Sequence, residues 1–137
     1  MHLLFVYGSL KEGFPNFHVN RGQRLPGDYR TLQPHPLYVV GGRLPCLLPL
    51  PGQGLRVRGQ LFRVDDVALA KMDRLERIGE PGGYQRARIA VERIDLPTPT
   101  LHEAFVYLQD PALLDGPGPH LGPLAEYLPE HARTLRW

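Results

Sequence analysis

Cysteine, lysine and long apolar runs are all scarce in this chain of 137 residues, and each scarcity closes off a class of function. Cys46 is the only cysteine, so no intramolecular disulfide can form and a cysteine-held metal site is not expected. The six histidines are His2, His18, His35, His102, His120 and His131, and none falls at a metal spacing such as H-x-x-x-H. The apolar stretch Leu3–Tyr7 is far shorter than the roughly 20 residues that cross a bilayer. No basic n-region or A-x-A cleavage signal accompanies it, so a cytoplasmic location without membrane contact is the expectation.

Only Lys11 and Lys71 are lysines, which leaves fourteen arginines among the 16 basic residues. They are scattered among 14 acidic residues for a net charge of +2, and no run of five like charges occurs. That distribution reads as a solvated surface. With neither a basic stripe nor a reading motif, nucleic acid is not expected as a partner.

Glycine and proline are abundant, at 15 each, without a collagen-like period. Well-patterned segments lie between them, so they read as punctuation between short strands rather than as disorder. Hydrophobic residues make up 42%, enough for one real core at this length. No repeat or linker divides the chain, and residues 1–137 are read as a single domain.

Leu3–Tyr7 has the continuous apolar pattern of a strand covered on both faces. Phe14-Pro15-Asn16 offers a turn, with Asn16 as N-cap of a short helix over Phe17–Asn20. Leu37–Val40 reads as a strand closed by Gly41-Gly42, and the proline-rich PCLLPLPGQG that follows reads as loop. In Leu55–Val64, Leu55, Val57 and Leu61 share one phase while Phe62 and Val64 take the other. A bulge near Gly59, or a strand bending round a barrel, would produce that slip. Val67–Ile78 reads as a helix capped by Asp65 or Asp66 and stopped by Gly79. Tyr84–Ile94 alternates, and His102–Leu108 is a further strand. After Asp110 the chain is irregular, with short helical turns expected over Leu124–Leu128 and Glu130–Leu135. The order implies an α+β fold whose sheet curls into a small barrel.

At 100° per residue, with Leu69 at zero, Met72 and Leu75 fall at roughly 300° and 240° on the buried side of the helix. Glu76 falls at roughly 340°, inside that apolar sector, while Lys71, Asp73, Arg74 and Arg77 read as the solvated side. Glu76 either snorkels from the edge to water, pairing with an arginine such as Arg86, or points into an enclosed cavity. In the second case desolvation would raise its pKa and suit it to general base work. Glu80, in the GEPGG turn beyond Gly79, has no fixed orientation and is the weaker candidate.

The other unusual stretch is FVYGSLKEG, a buried strand running into a glycine and a hydroxyl. Gly8 and Gly13 have Walker A spacing, but Phe14 and Pro15 occupy the Gly-Lys-Ser/Thr positions. A nucleophile elbow fails too, because Ser9 directly follows Gly8 and Lys11 stands at the second glycine. Two readings survive: a plain turn, or a nest of converging backbone N–H groups for a carboxylate or oxyanion. Gly8 would permit close approach and Ser9 would add a donor.

These elements together resemble the γ-glutamylcyclotransferase-like family, which includes the AIG2-like proteins and the γ-glutamylamine cyclotransferases. The resemblance rests on Tyr7-Gly8-Ser9-Leu10-Lys11 continuing through Gly13 to Asn16, and on Leu47-Leu48 with Leu50-Pro51-Gly52. It continues in Val57-Arg58-Gly59-Gln60-Leu61-Phe62, Met72-Asp73-Arg74-Leu75-Glu76 and Tyr84-Gln85-Arg86, and ends at Phe105-Val106-Tyr107. It covers most of residues 3–108, and the tail 110–137 lies outside it.

The resemblance implies a small mixed β-barrel with flanking helices and no metal or organic cofactor. It implies Glu76 as the catalytic acid/base and Tyr7, Gly8, Ser9 and Leu10 as the cradle of a glutamyl head. Tyr84 and Tyr107 match aromatic positions near the substrate. The implied reaction is cyclisation of a small-molecule γ-glutamyl amine or amino acid, releasing 5-oxoproline and a free amine. A non-catalytic ligand-binding or interaction module on the same fold is the alternative.

Overall fold

A computed structural model describes residues 1–132, the side chain of Val19 apart. In chain order the strands are β1 (His2–Val6), β2 (Gln23–Arg24), β3 (Tyr29–Thr31), β4 (Leu37–Val40) and β5 (Leu44–Leu47). They continue with β6 (Arg58–Val64), β7 (Gln85–Arg93) and β8 (Thr100–Leu108). Helix α1 spans Asp66–Leu75 and α2 spans Pro129–Ala132, with single 3₁₀ segments at Phe17–Val19 and Pro111–Asp115.

Pairing runs β1–β8–β7–β3–β6 and returns from β6 to β1, closing a five-stranded barrel. Only β1 and β8 are parallel, so the barrel is mixed and the fold α+β, as the resemblance implies. Closure leaves these five strands without a free edge along which another chain could pair. The β4–β5 hairpin forms a separate two-stranded sheet.

Both faces of β1 are buried, which is why its sequence is apolar without alternation. Phe5 and Tyr7 pack with Leu61, Val91, Ala104 and Val106 in one cluster. Leu4 and Val6 pack with Phe62, Val64, Ala68, Leu69 and Met72 under α1. The two phases in β6 have the same cause, since Leu61 belongs to the first cluster and Phe62 and Val64 to the second. The register from His2↔Val64 to Val6↔Gln60 is unbroken, so the slip is not a bulge. Gly59 instead marks close packing, because a Cβ there would lie 2.5 Å from the Val6 carbonyl oxygen and 2.6 Å from the Phe5 ring.

Three expectations need correction. Leu44–Leu47 is strand, not loop; Gly41 and Gly42, with φ of 63° and 70°, turn the chain back so that Leu44 pairs with Val40. The strand expected from Leu55 begins at Arg58, and Leu55 is exposed. Helix α1 ends at Leu75, and Gly79 is not its stop. The Ile78 amide bonds the Asp73 carbonyl and the Arg77 amide the Arg74 carbonyl, a Schellman closure with Arg77 in the left-handed region at φ 59°. At the other end Asp65 caps the helix, its Oδ1 accepting from the Ala68 amide at 2.7 Å.

No helix forms over Leu124–Leu128, and of the helix expected over Glu130–Leu135 the part beyond Ala132 lies outside the described residues. The tail nonetheless reaches the core through Tyr127, which is fully buried. Among the described residues no helix is long and apolar enough to cross a membrane.

Candidate active site

A small pocket opens where β1 runs into the Gly8–Leu10 turn. Phe5, Val6, Tyr7, Gly8, Ser9, Leu10, Pro45, Glu76, Tyr84 and Tyr107 line it. Tyr7, Gly8, Ser9, Leu10, Glu76, Tyr84 and Tyr107 therefore all border this one cavity, and the weaker candidate Glu80 does not.

Glu76 sits at the C-cap of α1, held by its amide on the Met72 carbonyl at 2.9 Å. Leu69 and Met72 bury one face of the helix, and the side chain that follows them a turn later enters the cavity. Its carboxylate accepts no hydrogen bond and makes no ion pair among the described residues. Burial alone pushes its pKa up to about 7. Arg86, the partner it would have at the helix edge, pairs with Asp73 instead.

The glycine loop is a turn and also a row of unspent donors. Its carbonyls are all engaged: Gly8 accepts from the Lys11 amide at 3.1 Å, Ser9 from the Asn16 amide at 2.9 Å, and Leu10 from Asn20 Nδ2 at 3.0 Å. The amides of Ser9 and Leu10, both buried residues, donate to no acceptor among the described residues. Buried N–H groups are seldom left unpaired without a ligand or water to take them. Asn16 does not cap the 3₁₀ segment with its side chain; its Nδ2 donates to Ser9 Oγ at 3.1 Å. That bond occupies an acceptor site on the hydroxyl and leaves the Ser9 proton available.

Lys11 anchors the far side of the loop. Its buried ammonium donates to the Tyr127 carbonyl at 2.6 Å and lies 4.3 Å from the centre of the Phe14 ring. Desolvation pulls its pKa down to about 8.

The tyrosines differ in what their hydroxyls have left to offer. Tyr7 Oη donates to the Tyr107 carbonyl at 2.7 Å and accepts from the Leu47 amide at 3.2 Å, tying the loop to β8 and β5. Tyr84 Oη donates to the Pro45 carbonyl at 2.7 Å, and Tyr107 Oη to Asp73 Oδ1 at 2.8 Å. Burial raises all three phenols, and the charge of Glu76 raises each further, so the carboxylate lies within electrostatic range of all three.

The sequence reading missed three contributors. Pro45 belongs to the hairpin taken for loop, and a Cβ on Gly8 would sit 3.0 Å from its Cγ. Asn16 was seen only as a helix cap. Asp73 was assigned to the solvated side, yet it bonds Tyr107 and Arg86. Its wheel angle of roughly 40°, beside Leu69 rather than opposite, was the available signal.

The description "Gamma-glutamyl cyclotransferase, AIG2-like" belongs to a family model that matches residues 4–127. The chain is a member of this family. The match extends past Tyr107 to the buried Tyr127, further than the motifs alone reach. A gamma-glutamylaminecyclotransferase of Homo sapiens is 37% identical over 121 residues, covering 78% of this chain and 78% of that one. Gamma-glutamylaminecyclotransferase B of Danio rerio is 39% identical over 114 residues, covering 78% of this chain but 59% of the relative. The crystal structure of an AIG2-like protein from Mus musculus superposes with a TM-score of 0.81 at 31% identity. It covers 100% of this chain and 95% of that one.

Proposed function

We infer that this γ-glutamylcyclotransferase-family chain cyclises a γ-glutamyl amine, releasing 5-oxoproline and the free amine. The observation that carries this reading is one pocket lined both by Glu76, a carboxylate without a hydrogen-bond or ion-pair partner among the described residues, and by a loop of unspent donors. No side chain in or beside the cavity has the partners of an activated nucleophile: Ser9 lies beside Asn16, not a base, and burial pushes the neighbouring Cys46 up to about 12. A γ-glutamyl amide needs none, because its own α-amine can close a five-membered ring on the γ-carbonyl.

The reaction then divides among few groups. The Ser9 and Leu10 amides and the Ser9 hydroxyl hold the α-carboxylate, folding the substrate so that amine and carbonyl meet. Glu76 takes a proton from the α-ammonium, and the freed nitrogen forms a bond to the carbon of the γ-carbonyl. The resulting tetrahedral oxyanion needs donors as well, which the Gly8–Leu10 turn is placed to share. Glu76 then returns its proton to the departing nitrogen, the ring nitrogen loses its second proton to solvent, the C–N bond breaks, and 5-oxoproline and a neutral amine leave. A pKa near 7 suits a group that must both accept and give a proton at neutral pH. This chemistry uses only the chain's own residues and a small-molecule substrate.

The names of the relatives favour an amine, rather than an amino acid, as leaving group. Incubation with a panel of γ-glutamyl amides, followed by product analysis, tests the reading: 5-oxoproline should appear in equimolar amount with the amine. Binding of 5-oxoproline without turnover of any amide in the panel would make the chain a binding module instead.

A further inference from the structure

The protein fixes the polarity of Tyr107 from behind. Arg86 and Tyr107 lie directly opposite one another across β7 and β8, and both reach over to Asp73 on α1. The guanidinium takes Asp73 Oδ2, while Oδ1 receives the Tyr107 hydroxyl at 2.8 Å. Arg86 is itself held by stacking over Phe105, 4.7 Å from the ring centre. A carboxylate paired with a guanidinium can only accept, and a phenol has one proton to give. Tyr107 therefore spends that proton on Asp73, and what remains on its oxygen is lone pairs. Tyr84 is arranged alike by the Pro45 carbonyl.

The pocket is consequently sorted by polarity. The loop wall offers donors, from the Ser9 and Leu10 amides and the Ser9 hydroxyl. The Glu76 carboxylate and the Tyr84 and Tyr107 oxygens, from residues lining the same pocket, offer acceptors. A ligand with a carboxylate and an ammonium on one carbon needs both kinds of partner, and this pocket supplies both.

We propose that Asp73 is a positioning residue which commits Tyr107 to act as hydrogen-bond acceptor for the substrate's α-ammonium. Holding a second N–H of that group while Glu76 removes the first leaves the nitrogen lone pair free to face the γ-carbonyl. The assignment rests on the cyclotransferase reading only for the identity of the ligand.

Asp73→Asn tests it with almost no change of shape. Arg86 would keep the single amide oxygen, the Asn NH₂ would face Tyr107, and the phenol would accept from it and turn its own proton into the pocket. Two probes without an amide to cleave, L-glutamate and glutarate, differ only in the α-ammonium, and calorimetry gives their affinities without turnover. The wild-type protein should prefer L-glutamate. Asp73→Asn and Tyr107→Phe should each lower that preference about tenfold, with glutarate affinity changed less than twofold. A packing role would weaken both probes together, and that outcome overturns the proposal. So does a wild-type protein with no preference for L-glutamate, or an effect confined to Tyr107→Phe. Absence of 5-oxoproline release from γ-glutamyl amides would instead overturn the catalytic reading and leave this measurement standing.

Discussion

The Tyr84 amide donates to the Glu76 carbonyl at 2.9 Å, joining the residue that caps α1 to the residue that leads into β7. Residues 77–83 make an excursion whose two ends are pinned by that bond, and both pinned side chains line the pocket. The position of the Glu76 carboxylate is therefore set by backbone rather than by any contact of its own. Glu76→Gln keeps the backbone bond and the side-chain shape while removing the acid/base. Turnover of a γ-glutamyl amide should fall by about 10²–10⁴-fold, with near-ultraviolet circular dichroism unchanged. Equal turnover by the variant would remove Glu76 from the chemistry.

The same residue should leave a signature in pH dependence. Free Glu76 must be ionised to accept a proton, so kcat/KM should rise with pH through about 7 on its acid limb. Stability should move the opposite way. The native state holds the Glu76 proton up to about 7 and the unfolded chain releases it near 4.5, so between these values the native state binds more protons. Stability from this group is fully present below 4.5 and declines as pH rises to about 7. Denaturant midpoints measured across that window should show a shallower decline in Glu76→Gln than in the wild-type protein.

Most of this site was legible because its signals were local. A carboxylate in an apolar helical sector and a glycine after a buried strand can both be read without tertiary structure. What was not legible depends on distant partners. Leu44–Leu47 contains Pro45 and follows two glycines, and it is strand because Leu37–Val40 lies beside it to pair. The end of α1 was placed at Gly79 by propensity, whereas the Schellman closure of the helix's own last turn holds Arg77 in a conformation that normally favours glycine. The wheel angle of Asp73 hints at its role, but its partners Arg86 and Tyr107 arrive from strands after the helix.

Cys46 follows the pocket residue Pro45 but lacks the chemistry of a nucleophile. It is fully buried, its Sγ lies 3.9 Å from Tyr84 Oη, and burial pushes its pKa up to about 12. A disulfide exchange reagent at pH 8 should leave the folded protein unlabelled and label it stoichiometrically in denaturant. Cys46→Ala should retain most turnover, because only the thiol's packing volume is lost. Rapid labelling of the folded protein would show the hairpin opening away from the barrel.

Gly59 tests how tightly the barrel closes. Its neighbours are the Val6 carbonyl and the Phe5 ring, both within β1, and backbone on one side leaves no flexible group to yield. Gly59→Ala should destabilise the protein by about 1–3 kcal/mol, the range expected for overpacking. Chemical denaturation with an unchanged m-value would assign the loss to the native state. A neutral result would mean that β1 and β6 can part without cost, against the continuous register between them.

Gly8→Ala should separate stability from catalysis at the opposite end of β1. The new Cβ would meet Pro45 Cγ at 3.0 Å and Cβ at 3.2 Å, a contact that a shift of a few tenths of an ångström relieves. The cost in stability should accordingly be smaller than that of Gly59→Ala. The shift falls on the turn that presents the Ser9 and Leu10 amides, and on the hairpin whose Pro45 carbonyl orients Tyr84. Small displacements of groups that fold a substrate for attack are costly in rate, so kcat/KM should drop about 10–100-fold. Denaturation midpoints and kinetics on the same preparation decide the matter: a turn that merely links two elements would lose stability and activity in proportion, whereas a cradle for the glutamyl head loses activity first.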